Sequence, residues 1–360
     1  MSVEFHPLTV EVRPETSDSV VVSFNVPDDL ADSFRHIPGQ HLVLRTELGG
    51  DDVRRSYSVC TPRGASRPAV GIKQIPGGLF STWATTELAT GDTVQVMAPI
   101  GEFGYLPQPG VARNYVGLAA GSGITPVLSI LSSILDVEQG STVTLVYGNR
   151  SSASVMFVEE LEALKNRHPE RFRIAHILSR EAHQVPFFEG RIDDKKLRVL
   201  AANLIDVDSV DDWFLCGPLD MVSTARSTLA DLGVDEASVH FELFFDERIE
   251  APEAADAFDP TLQAELKFTL EGRGSSVAVG VEPDGPSLLD YARTVRSDVP
   301  FACKGGMCAT CKAKVVEGEA VMKKNYALGD DELGKGFILS CQATPKPGSE
   351  GRVIEITYDV

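Results

Sequence analysis

Four of the six cysteines crowd the C-terminal part of the chain. Cys303, Cys308 and Cys311 fall within nine residues, and Cys341 follows after a further 29. The spacing C-x4-C-x2-C with one distant thiol is the pattern that holds a plant-type [2Fe–2S] cluster. Three thiolates wrap the cluster from one loop and the fourth closes the cage. Gly305 and Gly306 supply tight backbone and N–H groups that can face the sulfurs. A closed zinc site usually has two short cysteine pairs, and the second pair is missing here.

Two other stretches carry chemistry. Arg55-Ser-Tyr57-Ser58 ends a strand-like run. Alternate residues of a strand share a face, so Arg55 and Tyr57 can act together. A flavin needs a cation for its phosphate, a flat face for its rings and a hydrogen-bond donor near N5; Arg55, Tyr57 and Ser58 have those properties. Gly77-Gly78-Leu-Phe-Ser81 then precedes a helical pattern, where paired glycines make a pyrophosphate site. Further on, Gly121-Ser-Gly123-Ile-Thr125-Pro126 follows the apolar run NYVGLAA. Its glycines admit a pyrophosphate, and Pro126 suits a first helical turn. The terminal proline departs from the G-x-G-x-x-G dinucleotide fingerprint. After two later strands stand Arg150 and the pair Ser179-Arg180. Arginine and hydroxyl donors fit a ribose 2′-phosphate, so NADPH is favoured over NADH.

The elements that position these residues follow from periodicity. Residues 1–108 hold short β-branched runs (SVVVSFNV, HLVLRTEL, AVGIKQI, DTVQVMAP) separated by turn signals, the pattern of a small antiparallel β-barrel. Residues 109–245 alternate strand-like and helix-like segments, which predicts an α/β domain with a parallel sheet. Residues 246–260 read as an acidic linker, with six acids against one base in 246–259. Residues 261–360 offer a hairpin, the short helix SLLDYARTVRS, the cysteine loop, KAKVVEGEAV and the closing strand RVIEITYD.

Net charge is −19, so no global basic footprint for nucleic acid exists. No apolar run reaches the ~18 residues of a membrane span. The N-terminus lacks a secretory pattern. Together with clustered cysteines, this points to a cytoplasmic protein in a reducing compartment. Lys304, Lys312, Lys314, Lys323 and Lys324 surround the cysteine loop, where Glu317 and Glu319 are the local acids. They suggest a docking patch for an acidic partner. Cys60 and the histidines, His41 and His240 included, read as structural.

R-S-Y-S followed by GGxxS, the proline-ended glycine loop and Leu215-Cys216-Gly217-Pro218 resemble the ferredoxin-NADP reductase superfamily over about residues 1–245. That resemblance implies FAD as the flavin, Cys216 beside the reactive nicotinamide carbon, a Gly217-Pro218 turn against the cofactor, and Glu242 near the flavin–nicotinamide contact. The C-terminal hundred residues resemble plant-type ferredoxins, which implies a β-grasp fold. The order flavin, nicotinamide, ferredoxin resembles reductase components of multicomponent oxygenases. DVRRSYSVC, YGNRSSASVMF and CKGGMCATCKAKVVEGEAVMKKNYAL look like the reductase subunits of ring-epoxidising oxygenases in aerobic phenylacetate breakdown. The implied partner is a di-iron oxygenase component. Two rivals are a reductase for a Rieske-type steroid or aromatic hydroxylase, and a non-enzymatic subunit that only docks or senses redox state. Intact Ser58, Cys216 and both glycine loops speak against the second.

Overall fold

The computed structural model describes residues 4–244, 263–270, 272–282, 284–296 and 298–359. The acidic linker at 246–260 lies outside the described residues.

The N-terminal β-branched runs become β1 (Phe5–Thr16), β2 (Ser19–Asn25), β3 (His41–Leu48), β4 (Asp51–Ser58), β5 (Ala69–Lys73) and β6 (Thr93–Met97), with α1 (Leu79–Thr86) before the last strand. They form one sheet in the order β4-β3-β6-β1-β2-β5. A bridge between Val59 and Val70 joins the end of β4 to β5, so the sheet's edges meet as a barrel requires. Leu8, Val22, Phe24, Leu42 and Phe80 fill the interior.

The alternating segments become β7 (Asn114–Ala120), α2 (Ile124–Val137), β8 (Thr142–Asn149), α3 (Val158–Arg167), β9 (Phe172–Leu178), α4 (Asp194–Asn203), β10 (Asp212–Gly217), α5 (Leu219–Asp231) and β11 (Val239–Leu243). The five strands are parallel in the order β11-β10-β7-β8-β9. Residues of α2 and α3 pack in one apolar cluster and residues of α4 and α5 in another. Helices on both faces explain why Tyr115–Ala119 are buried without alternation. The crossover from the barrel is fastened by a buried carboxylate. Glu138 accepts hydrogen bonds from Tyr115 Oη (2.8 Å), Ser141 Oγ (2.7 Å) and the Gln108 N–H (3.1 Å). Tyr105 and Tyr115 share a further bond of 2.6 Å. Burial pushes both tyrosine hydroxyls above their ordinary pKa, so they remain neutral donors.

The C-terminal domain contains β12 (Gln263–Leu270), β13 (Arg273–Gly280), α6 (Leu288–Val295), β14 (Lys312–Glu317), β15 (Ala320–Met322), α7 (Asp330–Gly334), β16 (Phe337–Leu339), β17 (Ala343–Pro345) and β18 (Val353–Thr357). Its main sheet runs β13-β12-β18-β14-β16, with β12 and β18 parallel at the centre. Helix α6 packs Leu288, Leu289 and Ala292 onto it, giving a β-grasp arrangement. Ser287 and Asp290 cap that helix reciprocally. The barrel and the parallel-sheet domain share one compact unit, His6–Val53 with Tyr57–Phe244, and the C-terminal domain belongs to a second.

Candidate functional site

In the first unit, three strand ends converge. Ser58 closes β4, Glu242 lies in β11, and Cys216 stands opposite Glu242 in the parallel pairing of β10 with β11. The Ser58 hydroxyl donates to Glu242 Oε2 at 2.7 Å. His41, at the start of β3, places Nδ1 3.8 Å from Glu242 Oε1. Ser58 and His41 are buried, and the Glu242 side chain is only 16% exposed. Burial, and then the Glu242 charge, hold the Cys216 thiol well above its usual range, which favours the neutral thiol. The group thus has a hydroxyl that can donate or accept, a carboxylate behind it and an imidazole behind that. Such a row can orient and pass a proton at one buried point.

Tyr57 is half-buried, with its ring 5.5 Å from Phe80, which in turn meets Trp83 edge-on at 5.3 Å. This wall fixes a flat aromatic face near Ser58. Arg55 is half-buried on the same strand, and its guanidinium also donates to the Arg54 carbonyl (2.8 Å). Gly77 lies exposed in the turn before α1, with open space around it, and Gly78 is the buried N-cap of that helix. Ser81 is fully buried, and its hydroxyl accepts from the Ile75 N–H at 3.1 Å, so it shapes that turn from beneath.

The glycine loop after β7 meets the turn after β10. A Cβ on Gly123 would overlap the Cys216 carbonyl and come within 2.7 Å of the Gly217 nitrogen. Only glycine permits that approach. Gly121 precedes it, while Thr125 and Pro126 lie in the first turn of α2, with Thr125 Oγ1 donating to the Ser122 carbonyl (3.0 Å). Pro218 caps α5. Both turns therefore end against each other at the C-terminal edge of the sheet, where such folds bind dinucleotides. Gly123→Ala should raise the KM for nicotinamide nucleotide by about tenfold and lower thermal stability by about 1–3 kcal/mol, because the added methyl must push two backbones apart. Steady-state kinetics and melting curves check this; unchanged values in both would refute the close-contact argument. Arg150, Ser179 and Arg180 line the exits of the adjacent strands β8 and β9.

In the C-terminal domain the four sequence-flagged thiols come together as two pairs. Cys303 faces Cys308, and Cys311 faces Cys341, and those neighbours, with burial, raise the thiol pKa values of Cys303 and Cys311. No three thiols, imidazoles or carboxylates among the described residues converge on one point as a single metal ion needs. Two pairs of two match the donor set of a binuclear cluster. Around them the backbone is bent: Lys304 and Ala309 adopt φ of 51° and 52°, and Gly306 adopts φ of 78°. Gln342 holds the bent loop by donating to the Lys304 carbonyl at 2.7 Å. The Gly305 N–H already points at Cys303 Sγ (3.3 Å). The lysine patch is smaller than the sequence alone suggests. Lys304 pairs with Asp290 (2.9 Å) and Lys312 with Glu332 (3.0 Å), and Lys323 donates to the Gly285 carbonyl. Asp290 comes from α6 and Glu332 from α7, outside the cysteine loop.

His41 is the site residue that sequence reasoning set aside as structural; nothing local marks it, since its neighbour Glu242 lies on a different domain's strand. Cys60 is as expected a core residue, with Sγ donating to the Ala69 carbonyl and its thiol pushed up to about 12 by burial.

Family models match along the chain in the same order: an oxidoreductase FAD-binding domain at residues 8–105, an oxidoreductase NAD-binding domain at 118–227, and a 2Fe-2S iron-sulfur cluster binding domain at 269–346. The chain is 41% identical to a subunit of the 1,2-phenylacetyl-CoA epoxidase of Escherichia coli K12, over 95% of each chain. It is 34% identical to the ferredoxin reductase component of 3-ketosteroid-9-alpha-monooxygenase from Rhodococcus rhodochrous, over 94% of this chain and 93% of that one. Among solved structures, an intact type IV self-sufficient cytochrome P450 monooxygenase superposes with a TM-score of 0.67 at 22% identity, covering 98% of this chain and 41% of that one. A ferredoxin NADP+ reductase from Neisseria gonorrhoeae superposes with 0.57 at 23%, covering 67% and 99%. Fold and site together define an NAD(P)H-dependent flavin and iron–sulfur oxidoreductase. The chain belongs to the ferredoxin-NADP reductase superfamily, among the reductases that carry a C-terminal [2Fe–2S] ferredoxin domain. Among the described residues no helix is long and apolar enough to cross a membrane.

Proposed function

We propose that this protein is the reductase component of a multicomponent oxygenase acting on phenylacetyl-CoA, a cytoplasmic protein that takes hydride from NADPH and hands single electrons to a di-iron partner. The observation that carries the chemistry is the buried Ser58–Glu242 bond beside Cys216, joining the flavin-type barrel to the nicotinamide-type sheet. The identity of 41% over nearly the full length of both chains supports the choice of oxygenase.

When bound, FAD accepts a hydride's two electrons and the [2Fe–2S] cluster carries them onward one at a time. The chain's own residues do the rest. Gly121, Gly123 and the first turn of α2, with Gly217 and Pro218, hold the dinucleotide's pyrophosphate and bring its nicotinamide towards Cys216. Arg55 with Gly77, Gly78 and the turn shaped by Ser81 holds the flavin's phosphates, and Tyr57 supports its rings. Ser58 presents its hydroxyl to the flavin's reacting edge. Glu242 orients that hydroxyl, and His41 can exchange a proton with Glu242 from behind. Cys303, Cys308, Cys311 and Cys341 ligate the cluster. Arg150, Ser179 and Arg180 take the 2′-phosphate; both arginines stand exposed at the strand exits.

Purification without oxygen should give a protein with flavin and iron–sulfur absorption that bleaches with NADPH. Reconstitution with each candidate oxygenase then decides the partner. Turnover with a phenylacetyl-CoA epoxidase supports the proposal. Turnover only with a Rieske-type steroid hydroxylase would replace it with the reading favoured by the 34% identity. Chromophores that neither NADPH nor NADH reduces would refute both.

A further inference from the structure

The exits of β8 and β9 carry a residue that the sequence pattern passes over. The strands pair up to Asn149 and Leu178. Beyond them the chains stay side by side: the Ser179 N–H donates to the Asn149 carbonyl (2.9 Å), and the Arg180 N–H to the Arg150 carbonyl (2.8 Å). The next residue, Glu181, turns its carboxylate back across the gap. Its Oε2 accepts from the Ser152 N–H at 2.7 Å and from Ser152 Oγ at 3.0 Å. An anion belonging to the chain itself therefore occupies two donors on the rim where Arg150 and Arg180 stand exposed. Asp18, whose charge Arg150 also stabilises, is engaged by Lys73 at 3.1 Å.

A ribose 2′-hydroxyl can donate to a carboxylate, whereas a 2′-phosphate is repelled by it and competes for the same donors. The rim thus holds arginines suited to one nucleotide and an acid suited to the other. We propose that Glu181 sets the nucleotide preference: its carboxylate, held on Ser152, opposes the 2′-phosphate, keeps NADH usable and limits the advantage that Arg150 and Arg180 give to NADPH. This rests on the placing of the adenosine ribose at the exits of β8 and β9 proposed above.

The test uses the full-length holoprotein and its Glu181→Gln variant. Glutamine keeps the shape and an oxygen for Ser152 but removes the charge. The ratio of kcat/KM for NADPH to that for NADH, with ferricyanide as acceptor, should rise about fivefold, the scale of one unit charge facing another across a partly hydrated surface. The probe 2′,5′-ADP should bind more tightly by a similar factor. A rise of less than threefold in the ratio overturns the assignment. The Arg150→Ala/Arg180→Ala variant separates the two ways to fail. If it lowers the ratio tenfold or more while Glu181→Gln leaves it unchanged, the ribose site stands and the role of Glu181 falls. If neither variant moves the ratio, the ribose site itself is misplaced and the inference falls with it.

Discussion

Replacing Cys341 by serine should leave a protein that still reduces its flavin with nucleotide but passes almost nothing to an oxygenase. Cys341 follows β16 and is buried against Cys311 in the core of the C-terminal domain. It is the one thiol of the four that does not come from the bent loop, so it alone closes the cage. A serine hydroxyl is a harder and weaker ligand for iron and cannot balance the second iron's charge as a thiolate does. The loss should stay in its domain, because the flavin and nicotinamide residues other than Arg55 belong to another compact unit with cores of its own. Nucleotide-driven flavin bleaching should therefore remain within about threefold of the parent, while oxygenase-coupled turnover falls by more than about a hundredfold. Iron and sulfide content should drop together. Cys60→Ser supplies the contrast: that thiol sits in the first unit's core, and its loss should leave iron content unchanged. Full iron content with normal coupled turnover in Cys341→Ser would remove Cys341 from the ligand set.

What the sequence disclosed and what it hid divide along the distance over which residues cooperate. Three cluster thiols lie within nine residues, so their spacing alone carries the chemistry. The barrel and parallel-sheet strands were legible for the same reason, since apolar alternation and β-branched runs are local; β3 coincides with HLVLRTEL. Turns and strands share residues at their borders. Within LGGDD only Gly49 and Gly50 turn, with φ of 62° and 92°. Asp51 and Asp52 already belong to β4, where Asp52 pairs with Arg45 on β3 at 2.8 Å. Likewise KAKVVEGEAV is two strands, because Gly318 (φ 81°) ends β14 and releases the chain towards β15. Helix α4 buries only Leu197 and Leu200, too sparse an apolar stripe to stand out from its charges. Family resemblance pointed to Ser58 and Glu242 separately, but the bond between them depends on the two domains' packing. His41 and Glu181 carry no local signature, for each acquires its role from a partner on another element.

That bond makes the second large prediction. Glu242→Gln should slow hydride transfer from NADPH to the flavin by about a hundredfold, the scale of a lost positioned acid–base group. The substitution preserves size and an oxygen for the Ser58 hydroxyl, but the amide can neither store a proton nor exchange one with His41. Ser58→Ala should cost a comparable factor, and the double variant little more than either alone, because the two residues act as one relay. Stopped-flow reduction under anaerobic conditions measures each rate directly, and deuterium at the transferred position of the nicotinamide should give a larger isotope effect as hydride transfer becomes limiting. A structural account makes a different forecast. The Ser58–Glu242 bond also ties β4 to β11, so a mere fastener would lower the melting temperature and leave the reduction rate of the folded fraction untouched. Thermal melts beside the kinetics separate the two. Fully additive losses would mean that Ser58 and Glu242 serve the flavin independently, and rates within threefold of the parent for both single variants would take the pair out of the chemistry altogether.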